Sequence, residues 1–148
     1  MPANRELSRI NRIAVHHTDG NPNATVADLN VVWEVDNGWD RSGYHFVIRH
    51  TGEIWQLMRI NVHSNGVRGH NTPLINIAFL GTFTPENIPT QEARDSFRFL
   101  CRLLVLGIAE LSNLTDLTEH IVGNNEFTNH YDVICPGFLR EQFLSWLN

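Results

Sequence analysis

Residues 75–81, Ile-Asn-Ile-Ala-Phe-Leu-Gly, form an apolar run of the kind expected of a strand covered on both faces. Such a strand needs layers above and below it, so the surrounding chain must supply helices and neighbouring strands. The segment Arg12–His17 alternates, with Ile13 and Val15 on one face and Ala14 and His16 on the other, and ends at Asp19-Gly20-Asn21-Pro22. That reading puts His16 at a strand end.

Thr25 followed by Asp28 is a helix start, with Val26, Leu29, Val32 and Trp33 at helical spacing and a stop near Asn37 and Gly38. Residues 44–49 and 53–57 flank the turn Thr51-Gly52 and predict a hairpin. Alternation there groups Tyr44 with Phe46 and Ile48, and His45 with Val47 and Arg49. Residues 61–72 read as a long loop rich in glycine and histidine, and such loops in small domains are usually functional. The longest helix is expected over 90–111, from Phe97, Leu100, Leu104 and Ile108 against a polar opposite side. A short strand over 117–122, a polar loop to Cys135 and an amphipathic helix after Gly137 complete the order β, α, β, β, β, α, β, α. The fold class is α/β, a central mixed sheet flanked by helices in one domain spanning residues 1–148.

The chain has 148 residues, 42% of them hydrophobic and 18% charged, which suits a single globular domain. A net charge of −5 and the absence of a basic stripe argue against a nucleic-acid partner. No run approaches the roughly 18 to 20 apolar residues of a membrane span. The first ten residues are polar and carry Arg5 and Arg9, so no signal peptide is expected. Cys101 sits in an apolar helical run and Cys135 precedes Pro136, and packing or metal roles suit them better than a disulfide.

Three separated pieces combine: His16 in Ile-Ala-Val-His-His-Thr, Tyr44 in Ser-Gly-Tyr-His-Phe-Val-Ile, and Cys135 in Ile-Cys-Pro-Gly-Phe. With the turn Thr51-Gly52-Glu53, His63, the triplet Gly69-His70-Asn71 and the strand ending at Gly81, the chain resembles the zinc-dependent N-acetylmuramoyl-L-alanine amidases. Phage lysozyme-type endolysins and animal peptidoglycan recognition proteins share that family. The likeness runs over about residues 12–147, nearly the whole chain.

The resemblance implies a zinc ion held by His16, by the residue at position 124 and by Cys135. A catalytic zinc takes three protein ligands and leaves a fourth position for a water whose pKa falls to about 7. Tyr44 matches the tyrosine that assists attack on the amide carbonyl. The implied partner is peptidoglycan, met as a monomer, and the implied reaction cuts between N-acetylmuramic acid and L-alanine. The resemblance implies either a phage endolysin that passes from the host cytoplasm to the wall by holin-type release, or an excised domain of a larger secreted autolysin.

Two positions depart from the family pattern. Where members read Val-Gly-His-x-Glu, this chain reads Val122-Gly123-Asn124-Asn125-Glu126, and an asparagine amide is a feeble zinc ligand. Zinc is therefore expected to be weakly bound or absent. Three readings stay open: an introduced substitution, a natural binding-only relative, or rescue by another histidine. His120 lies roughly 13 Å along a strand from Asn124, which leaves His130 as the candidate rescuer. Val133 stands where the family carries lysine or threonine. The resemblance further places His63, His70 and Asn71 at the substrate groove; Trp39, next to Gly38 in the loop before Tyr44, is expected to contact substrate, and Glu126 to bond backbone or support the ligands. His17, His45 and Cys101 are expected to be structural.

Overall fold

The computed structural model describes residues 4–108 and 119–148, and the expected end of the long helix and start of the strand at 117 lie outside them. The strands are β1 (Arg12–His17), β2 (Phe46–Ile48), β3 (Ile54–Gln56), β4 (Leu74–Phe79) and β5 (Ile121–Gly123). They form one sheet in the order β3-β2-β4-β1-β5. β2 pairs antiparallel with β3, whereas the β2–β4, β4–β1 and β1–β5 pairs are parallel. The sheet is thus mixed, and β4 is buried at every position as its composition requires.

Helices cover one face. Helix α2 (Gln91–Gly107) and helix α3 (Arg140–Ser145) bury Phe97, Leu100, Leu104 and Phe143 against Ile13, Val15, Ile75 and Ile77. Thr90 caps α2 by accepting from the Ala93 amide. The outer side of α2 is less polar than its periodicity suggests, since Phe99, Leu103 and Leu106 are exposed there. Cys101 is buried in this core as expected of a packing residue.

On the other face, helix α1 (Val26–Asn30) starts at a capping box between Thr25 and Asp28. Its continuation, Val31–Asp36, widens into a π-helical turn closed by the Asn37 amide on the Val32 carbonyl at 2.9 Å. The helix expected to run to Asn37 is therefore two kinds of helix, and Gly38 at φ +67° ends it. Leu29 and Trp33 are buried against Val47, Ala78 and Leu80, while Val31, Val32 and Val35 are exposed. A third cluster of Ala14, Leu74, Val67 and Phe127 lies under the loop of residues 61–72.

Candidate functional site

Parallel pairing of β1 with β5 sets Val15 opposite Gly123, so both strands run out at the same edge. His16 and His17 leave β1 beside a 3-10 turn, Asn124–Glu126, that follows β5 directly. Ligand sites of parallel sheets gather at such carboxyl ends. Cys135 is brought there by the turn after it. Gly137 has φ +91°, and a Cβ on it would meet the Phe83 carbonyl oxygen at 1.9 Å, so only glycine lets the chain pass.

Cys135 Sγ lies 3.6 Å from His16 Nδ1 and accepts the His17 backbone N–H at 3.3 Å. On its far side His16 Nε2 lies 2.8 Å from Asn76 Oδ1. Burial pushes the His16 imidazole down to about 4, opposed by its bond to Asn76, so the ring is neutral at ordinary pH. Burial pushes the Cys135 thiol up to about 11, opposed by hydrogen bonds from the Asn124 side chain and the His17 amide. Asn124 Oδ1 is buried without a partner.

Those three side chains test the implied zinc. A tetrahedral ion with zinc–nitrogen and zinc–sulfur bonds of about 2.0 and 2.3 Å sets its nitrogen and sulfur ligands about 3.5 Å apart, which matches the His16–Cys135 pair. The third corner fails, because Asn124 offers an amide oxygen where a catalytic zinc needs an imidazole, thiolate or carboxylate. Among the described residues no group of three histidine, cysteine, aspartate or glutamate side chains is placed to hold a metal ion. His130 does not complete the set: its Nε2 donates to the Arg68 carbonyl at 3.1 Å and its ring meets His70. The described residues do not make up a three-ligand catalytic zinc site.

Tyr44 stands beside the pair, its ring 5.0 Å from the His16 ring and 5.8 Å from that of Trp33. The expected grouping of Tyr44 with Phe46 and Ile48 is overturned: Tyr44 packs in the cluster of Val47 and Trp33, on the opposite side. The reason is local. β2 begins only at Phe46, and Ser42 binds both the Tyr44 amide and its carbonyl in a turn that breaks the alternation. The Tyr44 hydroxyl donates to the His17 carbonyl at 3.3 Å, and burial, then the neighbouring Cys135, hold the phenol well above its usual range. A cavity of about 240 Å³ opens next to it, walled by Leu29, Val32 and Trp33 and rimmed by Asp19 and Asp28.

The remaining expected residues divide. Trp39 is exposed, its ring near Gly43, which Trp33 also approaches. His63 stays close to Arg41, with Nε2 3.5 Å from the guanidinium and a buried Nδ1 that has no partner. His70 donates Nε2–H to the Thr128 carbonyl at 3.0 Å and packs on Phe127. Asn71 turns its side chain inward, accepting from the Val67 amide at 2.8 Å and the Asn76 side chain at 3.2 Å. Glu126 accepts from the Gly123 amide and pairs with Arg140 at 2.9 Å, which closes the turn. His120 points away, to the Asn11 carbonyl, and Val133 is half-buried. Sequence reasoning missed Asn76 and Ser64, both fully buried. A lone asparagine inside an apolar strand was the available signal, because buried polar groups find partners.

A family model described as N-acetylmuramoyl-L-alanine amidase matches residues 6–138. Among solved structures, the N-acetylmuramoyl-L-alanine amidase LysC from Clostridium intestinale URNW is 27% identical with a TM-score of 0.74, over 100% of this chain and 93% of its own. The Ph2119 endolysin from the Thermus scotoductus MAT2119 bacteriophage is 21% identical with a TM-score of 0.77, over 94% and 85%. Drosophila peptidoglycan recognition protein SD is 20% identical with a TM-score of 0.80, over 100% and 86%. No match was found among curated protein sequences.

Proposed function

Because the chain belongs to the N-acetylmuramoyl-L-alanine amidase family, we propose that it is a peptidoglycan-directed domain that grips the junction of N-acetylmuramic acid and L-alanine and hydrolyses it poorly. The carrying observation is Asn124, whose unpartnered amide oxygen stands beside the His16–Cys135 pair where a third strong donor is required. Val133, in place of a lysine or threonine, removes a second polar group from the same loop. Support for the substrate class comes from LysC, an amidase by name, and support for binding from the recognition protein of the same fold.

What the chain's own residues supply is a cleft with an apolar wall and a polar rim. The wall of Leu29, Val32 and Trp33 takes apolar surface, while Asp19 and Asp28 on the rim meet donors of a sugar or peptide. Tyr44 keeps its proton and donates it to the His17 carbonyl at 3.3 Å, a long bond that a ligand oxygen in the cleft would replace. Trp39 offers an exposed ring to a sugar face. Zinc, in a member with the full ligand set, would supply an activated water and polarise the carbonyl.

The test compares the chain with its Asn124→His variant on insoluble peptidoglycan. Both are expected to sediment with the wall material, whereas release of soluble peptide rises at least 100-fold in the variant together with one bound zinc per chain. Equal release by the two forms would refute the role given to Asn124, and failure of both to sediment would refute peptidoglycan as the partner.

A further inference from the structure

We propose that Asn76 is a positioning residue, whose side chain, held by Ser64 and Asn71, fixes His16 as the Nε2–H tautomer with its Nδ1 lone pair turned to Cys135. The argument starts from a donor whose identity cannot change. The backbone N–H of Val67 reaches the Asn71 side chain at 2.8 Å, so the atom it meets is the amide oxygen. That same oxygen lies 3.2 Å from the Asn76 side chain, and an oxygen already accepting requires an N–H opposite it. The Asn76 group on that side is therefore its NH₂, which also donates to Ser64 Oγ at 2.7 Å.

The other end of Asn76 must then be its carbonyl oxygen, which can only accept. It faces His16 Nε2 at 2.8 Å, so the imidazole donates there and carries no proton on Nδ1. The bare Nδ1 points at Cys135 Sγ, 3.6 Å away, as an acceptor for the thiol proton or for a bound ligand. Nothing in the surroundings offers an escape. Asn76 and Ser64 are fully buried and His16 nearly so. The backbone of Gly66 sits directly on the amide, since a Cβ there would come within 2.6 Å of Asn76 Cγ and 2.7 Å of Oδ1. Partners beyond the first contact usually set a functional imidazole's tautomer, and here an asparagine on β4 fills that position.

The inference takes His16 as a site residue, as the proposed function does, but its test reads the ring itself and not peptidoglycan. Imidazole ¹⁵N shifts of the histidine-labelled chain at neutral pH separate the two tautomers. His16 is expected to show a protonated Nε2 and a bare Nδ1. In Asn76→Ala the His16 shifts should move toward the average of the two forms. His45 provides the control, because it is held by the Asn76 backbone amide, which the substitution keeps. A wild-type His16 protonated on Nδ1 would overturn the proposal whatever the variant does. An unchanged His16 in a variant whose His45 signals persist would overturn it as well.

Discussion

The backbone N–H of Asn76 donates to His45 Nδ1 at 3.0 Å, while His45 returns its Nε2 proton to the Val62 carbonyl at 2.7 Å. Both ring nitrogens are thus used by the neutral imidazole. The approach of Arg5 to Nε2 at 3.4 Å is then a contact between two donors and not a bond. A second proton would have to sit on Nδ1, facing an N–H that cannot turn away.

Acid sensitivity follows. Burial first, with the nearby Arg5 charge adding and the Val62 bond opposing, pushes His45 down to about 4 from 6.5. The unfolded chain therefore binds the proton that the folded one refuses, and stability falls as pH drops. The contribution is complete above about pH 6.5 and is lost progressively from there to about pH 4, by about 3 kcal/mol for this one group. Urea unfolding at pH 7.5, 5.5 and 4 should show that decline, and His45→Gln should make it shallower while leaving the share of His16, which burial lowers likewise. A slope unaltered by the substitution would assign the acid limb to other groups.

Arg5 is the second expectation. Its guanidinium donates to the carbonyls of Ile60, Asn71 and Thr72, at 2.8, 3.1 and 2.6 Å, and ties the start of the chain to the loop that covers Asn76. Arg5→Ala leaves those carbonyls without their donor and should cost about 2–4 kcal/mol. Arg5→Lys should recover only part, because one ammonium cannot reproduce a planar fork. Hydrogen exchange at the Val67 amide, bonded to Asn71, should accelerate in Arg5→Ala; unchanged protection would mean the loop holds itself.

These two residues show where the sequence was and was not legible. β1 could be bounded correctly because its alternation and the turn at Asp19 agree; β4 could be recognised as a buried strand from its apolar run, but it spans Leu74–Phe79 and stops short of the expected Gly81. His16 and Cys135 could be expected side by side from their motifs, and their side chains do lie 3.6 Å apart. Tyr44 was turned to the wrong side since alternation holds only inside a paired strand, and Ser42 reshapes the backbone before β2 begins. Arg5, read as polar terminal sequence, is buried through contacts 55 to 67 residues away, which no local pattern encodes. Asn71 carried a motif position, and only its distances to Val67 and Asn76 show an inward structural task.

Cys135 should be chemically quiet. With its thiol pushed up to about 11, the thiolate fraction at pH 8 is on the order of one in a thousand, against roughly a quarter for an ordinary cysteine. Iodoacetamide at pH 8 should therefore leave Cys135 and the buried Cys101 unmodified over a time that fully alkylates a model peptide, as read by intact mass. Denaturant should release two equivalents. Rapid single modification of the native chain at Cys135 would show a thiolate that the described hydrogen bonds do not account for.

Tyr44→Phe separates packing from chemistry. The ring contacts with His16 and Trp33 survive the substitution, and only the hydroxyl bond to the His17 carbonyl is lost. That bond is long at 3.3 Å, so unfolding free energy should change by no more than about 1 kcal/mol. Sedimentation with peptidoglycan should also be retained. In the Asn124→His background the same change should lower kcat about 100-fold with KM nearly constant, the mark of an interaction made at the transition state and not in the ground state. A loss confined to KM would make Tyr44 a binding residue instead. No loss at all would return the phenol to the role of wall between Trp33 and His16, a place phenylalanine fills equally well.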